Sequence, residues 1–200
     1  MKINVLLSVS VLLGSFVLFS SCVIIGINGN GYVVSQERTA NGFYGVVLDG
    51  VGNVNIHIQE NYRVIVTTDA NIQDFITTKV YGKKLHIDGK THSSFNPTML
   101  TIDVYVPDLR YIDLNGVGNI KVINGKTNHL ELNLSGVGNI EAQDCEAEYV
   151  VVALSGTGDI KTWVTKSLTG KLSGIGNILY KGNPSINNVN RTGIGNIKRL

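Results

Sequence analysis

Gly116-Val117-Gly118-Asn119-Ile120 is the stretch whose reading decides the fold, because the same pattern occurs five more times along the chain. The copies are Gly50-Val51-Gly52-Asn53-Val54, Gly136-Val137-Gly138-Asn139-Ile140, Gly156-Thr157-Gly158-Asp159-Ile160, Gly174-Ile175-Gly176-Asn177-Ile178 and Gly193-Ile194-Gly195-Asn196-Ile197. From Gly116 onward they start 20, 20, 18 and 19 residues apart (positions 116, 136, 156, 174 and 193). Self-similarity at such a period marks stacked units, none of which buries its apolar side alone. A leucine precedes five of the six motifs by two positions, at Leu48, Leu114, Leu134, Leu154 and Leu172, and an isoleucine closes five of them, at Ile120, Ile140, Ile160, Ile178 and Ile197. At about 3.3 Å per residue a 20-residue coil has a contour of roughly 65 Å, enough for three short faces, with successive coils paired in parallel about 4.8 Å apart. The expected fold is therefore all-β, a right-handed single-stranded parallel β-helix with about 18–20 residues per coil.

The two glycines admit two explanations. Strict alternation turns both inward, where a narrow corner leaves no room for a side chain; alternatively one takes φ > 0 so that the chain turns between faces. The choice also fixes Val51, Val117, Val137, Thr157, Ile175 and Ile194, which alternation exposes as an apolar ridge and a rephasing turn hides. Burial is the favoured expectation. The column Asn53, Asn119, Asn139, Asp159, Asn177 and Asn196 is expected to bond from coil to coil or to satisfy the turn backbone. Arg191 stands where the other copies have leucine. A buried, unpaired cation is costly, so the last coil is expected to open to solvent as a cap, with docking of a second copy on this coil as the rival reading.

Upstream of the coils the period-2 alternation of half-buried strands starts at Phe43. Short strands are expected at Tyr62 to Thr68, Thr77 to Tyr81, Leu85 to Asp88 and Leu100 to Val106, punctuated by Asn, Asp, Gly and Pro. No segment has convincing helical spacing; Ala70 to Ile76 is long enough for one turn. The first residues follow a different logic. Lys2 precedes an apolar run from Val5 to Phe19, and Ser20-Ser21-Cys22 follows at once. This reads as a lipoprotein-type signal peptide over 1–21, with Cys22 lipidated and 22–31 a tether to a domain over 32–200. Acyl chains on Cys22 would hold the protein at a membrane without a spanning helix.

Composition narrows the function by exclusion. Seventeen basic and 15 acidic residues give +2 without a long run of either sign, which speaks against a nucleic-acid surface. Calcium-binding β-roll repeats are nine residues long and place Asp after the glycines, whereas here only Asp159 does so. No motif is followed by the Lys-Ser or Lys-Thr of a phosphate loop. His57, His86, His92 and His129 lack the local spacing of a metal site, and His57 and His86 alternate with apolar neighbours as outward strand residues. Asp88, Asp103 and Asp113 also alternate outward; two of them converging would resemble a glycosidase pair. Ser135, Ser155 and Ser173 recur too often for a nucleophile, and Cys145 has no activating partner nearby. No catalytic residue, metal or cofactor is assigned; Gly50, Gly52, Gly116, Gly118, Gly136, Gly138, Gly156, Gly158, Gly174, Gly176, Gly193 and Gly195, with the Asn/Asp column, are read as structural turns.

Leu48-Asp49-Gly50-Val51-Gly52-Asn53-Val54 after Phe43, the Leu85-His86-Ile87 strand, Val106-Pro107-Asp108-Leu109 and the Gly-x-Gly-Asn-Ile copies together resemble the head GIN domain family of auto-transporter adhesins over about residues 32 to 198. The resemblance implies a right-handed β-helix, a bacterial lipoprotein, and no assigned catalytic residue. Bacteria of the kind the resemblance implies commonly mark surface-exported lipoproteins with acidic residues just after the cysteine, and Val23-Ile24-Ile25 carries none, so the resemblance implies an anchor at the outer membrane facing the periplasm, with surface exposure as the alternative. The expected function is a non-enzymatic, lipid-anchored envelope protein that contacts an envelope protein or glycan. A polysaccharide-binding or polysaccharide-degrading β-helix and a self-assembling scaffold are the alternatives.

Overall fold

The computed structural model describes residues 26–90 and 95–200. The chain is almost entirely strand. In its first part β1 (Ile27–Asn28), β2 (Val33–Arg38), β3 (Gly45–Leu48), β4 (Val51–Ile58) and β5 (Arg63–Asp69) lead to a 3-10 turn at Gln73–Phe75. Then come β6 (Ile76–Tyr81), β7 (Lys84–Gly89), β8 (Phe95–Asn96) and β9 (Leu100–Val106). The second part holds β10 (Tyr111–Leu114), β11 (Val117–Leu134), β12 (Val137–Leu154), β13 (Ile160–Leu172), β14 (Ile178–Lys181), β15 (Ile186–Arg191) and β16 (Ile197–Arg199).

These strands do not form the expected right-handed, single-stranded parallel β-helix. Apart from the small pair β1–β8, they make one 14-stranded sheet of mixed sense, curled into a nearly closed, barrel-like wall. The pairs β2–β5, β5–β9 and β6–β7 are antiparallel, and the rest are parallel. The long strands explain the curl. Residues Val117 to Asn124 of β11 lie against β4, while Glu131 to Leu134 lie against β10, so one strand serves two stretches of the wall. The antiparallel pairs have a local cause: Gly82 and Lys83 both take positive φ (56° and 61°), the conformation of a two-residue hairpin turn whose twist matches its strands. Val51 pairs directly with Val117 although 66 residues separate the two, and β5 to β10 occupy the interval.

The apolar columns meet inside this wall. Leu48, Leu114, Leu134, Leu154 and Leu172 are in register and buried, as are Ile120, Ile140, Ile160 and Ile178. Each inward rung stacks like side chains in dense contact, the arrangement that excludes water most completely. Cys145 is a buried free thiol among them, its pKa pushed up to about 11 by burial. Arg191 is exposed and donates to the Gly195 carbonyl at 2.6 Å, so no cation is buried in the leucine column.

Candidate functional site

The repeated motif keeps strict alternation. Leu114, Gly116, Gly118 and Ile120 point inward, and Asn115, Val117 and Asn119 point outward. Both explanations for the glycines contribute, in different ways. Gly118 has φ +146°, which L side chains rarely adopt, and a Cβ on it would approach the Gly52 carbonyl oxygen to 1.7 Å. Gly116 lacks positive φ, yet its Cβ would meet the Gly50 oxygen at 1.7 Å. What excludes the side chain is the backbone of the neighbouring strand rather than a crowded corner.

Because alternation holds, the middle residues are not buried. Val51, Val117, Val137, Thr157, Ile175 and Ile194 are paired rung to rung and form one exposed row, and its five apolar members are each 50–72% exposed. Five steps of about 4.8 Å make the row roughly 24 Å long. Polar columns border it on both sides. On one side Asn119 and Asn139 donate their side-chain amides to Asn53 and Asn119 at 3.0 and 2.9 Å, and Asn177 donates to Asp159 at 2.9 Å. The side-chain oxygens of Asn119, Asn139, Asp159 and Asn177 also accept the backbone N–H of the next rung, from Asn139, Asp159, Asn177 and Asn196. On the other side Ser135 donates to Asn115 at 2.7 Å, and Asn115 donates to Asp49 at 2.9 Å. The ridge is thus apolar but for Thr157, and is framed by an asparagine column bonded from rung to rung on one side and by the bonded trio Asp49, Asn115 and Ser135 on the other.

The remaining singled-out residues fall elsewhere. Cys22 and His92 lie outside the described residues. His57 stacks on Tyr105 at 4.6 Å and sits 3.8 Å from Asp103, whose carboxylate accepts from Asn55. His129 stacks on Tyr149 at 4.9 Å. Among the described residues no three of His, Cys, Asp and Glu are placed to hold a metal ion, and no helix is long and apolar enough to cross a membrane. Asp88, Asp103 and Asp113 are spread over different strands and do not form a pair.

One cluster escaped the sequence reading. On the outer face of β7, β3 and β10, His86 Nδ1 lies 3.0 Å from Asp49 Oδ2 and 2.8 Å from the Tyr81 hydroxyl, and the two rings stack at 3.6 Å. Beside it Tyr111 donates to Asp113 at 2.9 Å, and the Lys84 ammonium sits 3.1 Å from the centroid of the Tyr111 ring. Burial lifts the Tyr111 hydroxyl to about 12, and the bond to Asp113 adds to the effect. Burial also raises the Asp113 carboxyl, outweighing the donors Tyr111 and Asn115. The outward parity of Asp49 and His86 was readable, but 37 residues separate them and no motif links them.

The sequence profile of the family described as putative auto-transporter adhesin, head GIN domain, matches residues 42–124 and 113–184. No curated protein matches the chain. Among solved structures, a putative adhesin from Bacteroides fragilis is 22% identical, with a TM-score of 0.58 over 88% of this chain and 100% of its own. That likeness shows the all-β, nearly closed mixed sheet. A putative lipid-binding protein from Parabacteroides distasonis (20% identical, TM-score 0.40, 88% of this chain and 100% of that one) and a putative adhesin from Parabacteroides merdae (18%, 0.45, 88% and 99%) are too remote in shape to add to it. The two profile matches together span most of the described strands, and the chain belongs to the putative auto-transporter adhesin, head GIN domain family.

Proposed function

We propose that the chain is a non-enzymatic contact module of the cell envelope, lipid-anchored at Cys22, whose β-branched ridge docks on a protein partner. Membership of an adhesin-type family supports an envelope or surface role. The ridge from Val51 to Ile194 is the observation that carries the reading. A row of exposed valine and isoleucine gains by leaving water and has no directional polar demand, except at Thr157. That chemistry suits an apolar strip on another protein better than a sugar, whose hydroxyls would find few free partners beside the bonded asparagine column.

The test compares sedimentation of the purified protein with isolated cell envelopes for the native chain and for a Val117→Asn, Val137→Asn, Ile175→Asn variant. Loss of three apolar contacts at the centre of an interface is expected to weaken association by at least about tenfold. Equal sedimentation of a folded variant contradicts the reading. Replacing Cys22 by Ala is expected to abolish incorporation of labelled palmitate and to move the protein out of the membrane fraction; continued incorporation contradicts the anchor.

A further inference from the structure

The cluster around Tyr81 has chemistry that the ridge lacks. Pairing of β6 with β7 sets Thr77 beside Asp88, Lys79 beside His86 and Tyr81 beside Lys84 on one outer face. The next strand, β3, brings Gly45 beside Lys84 and the buried Val47 beside His86, leaving a low strip where Asp49 and Lys84 reach across. A Cβ at Gly45 would lie 2.9 Å from Lys84 Cγ and 3.1 Å from Tyr111 Cβ, so glycine is what lets Lys84 cross to the Tyr111 ring. A cleft of about 300 Å³ opens here, with Asp49, Lys79, Tyr81, His86, Asp88 and Lys90 in its wall. This is the lower end of ligand-pocket sizes.

The wall is set in place before any ligand arrives. Tyr81 is 59% exposed; one ring face lies on His86 at 3.6 Å and 9°, and the other faces solvent. His86 Nδ1 lies within hydrogen-bond distance of both the Tyr81 hydroxyl and the Asp49 carboxylate, which as an ion can only accept, and Asn115 donates to the second oxygen of Asp49. Asp49 and Asp88 can only accept hydrogen bonds when ionised, whereas Lys79 and Lys90 can only donate. A simple anion meets two carboxylates, a simple cation meets two ammonium groups, and an apolar ligand gives none of the four a further partner. A ligand that both donates and accepts at closely spaced positions, and has one C–H face for an aromatic ring, satisfies every group. Pyranose sugars have that combination.

We propose that this cleft is a carbohydrate-binding site in which a pyranose unit stacks on the open face of Tyr81 while its hydroxyls bridge the carboxylates of Asp49 and Asp88 and the ammonium groups of Lys79 and Lys90. The cleft adjoins the Val51 end of the ridge, where Asp49 belongs both to the cleft wall and to the polar column beside the ridge, and its test is separate from that of the protein contact proposed above. Such a module would hold a glycan beside one end of its protein-contact ridge.

The test is saturation-transfer NMR on the whole chain with glucose, galactose, mannose and N-acetylglucosamine, each with and without inorganic phosphate. At least one sugar is expected to receive transfer with a dissociation constant on the order of 1 mM or tighter. Phosphate at the same concentration is expected to leave the signal intact. Tyr81→Ala and Asp49→Asn are each expected to weaken binding at least about tenfold, while Tyr81→Phe and Val117→Asn keep it. Should Tyr81→Ala fail to fold, Asp49→Asn decides alone. No transfer to any of the four sugars, displacement by phosphate, or full binding by folded Tyr81→Ala or Asp49→Asn overturns the proposal.

Discussion

Between Tyr111 and Arg199 the strands pair in parallel, motif on motif, whereas between Val33 and Val106 three of the pairings run antiparallel and the single motif copy meets its like only in β11. The difference lies in what sets the register. In the repeats, like residues face like residues, and slipping by one position would turn every leucine outward. In the earlier part the register is fixed by local devices, the Gly82-Lys83 turn and the buried carboxylate of Asp69. That carboxylate accepts from Gly31 N and Thr98 N at 2.7 Å and from Thr98 Oγ1 at 2.8 Å, and so ties two loops to the end of β5.

This contrast can be broken most severely at the repeats. Gly118→Val places a side chain against the Gly52 carbonyl at a positive φ and is expected to cost about 4 kcal/mol or more, read as a collapse of the urea midpoint. Gly42→Ala, also at positive φ (+70°) but with nothing within 4 Å, is expected to cost only about 1–2 kcal/mol. Similar losses at the two sites would mean that strand-to-strand crowding does not drive the recurrence of glycine.

The earlier region is probed through acid. Burial alone would raise the Asp69 carboxyl, but the bonds from Thr98 and Gly31 outweigh it and hold the group below its ordinary 3.8. A depressed folded value means that the stabilisation is present above the unfolded value and fades as pH falls through the folded one. The native protein should therefore lose stability below about pH 4, and Asp69→Asn should be weaker at neutral pH with a flatter acid limb. An unchanged acid limb in that variant would remove Asp69 as the clamp. The smallest effect belongs to the asparagine column. Asp159 has no amide to donate to Asn139, so Asp159→Asn restores a missing rung bond while giving up the charge of the acceptor for Asn177. A stabilisation of about 0.5 kcal/mol is expected in urea titrations; a loss of that size would show that the charged acceptor matters more than the ladder.

How much was legible follows the same division. The leucine and isoleucine columns were readable because each residue recurs at the period of a rung, and the β9 boundaries Leu100 and Val106 coincide with the strand read from alternation. The mixed sheet was not, because the repeat invites one parallel rule for the whole chain. Gly82-Lys83 was read as punctuation although a tight turn between two strands forces an antiparallel pair. The ridge was expected to be buried because alternation and a rephasing turn fit the same letters. Only the backbone settles the matter: both Gly116 and Gly118 keep the inward parity, so Val117 must face out. The Tyr81–His86–Asp49 cluster depends on β7 lying beside β3, a neighbour relation with no trace in local spacing.

The ridge is the claim on which the functional account turns, and thiol labelling of a Val137→Cys protein tests it most directly, with native Cys145 as the buried control. Position 137 is predicted to react rapidly in the isolated protein and to become protected when the protein is bound to cell envelopes, while Cys145 stays unreactive until unfolding. Slow labelling in the isolated protein, or equal labelling free and bound, would contradict it.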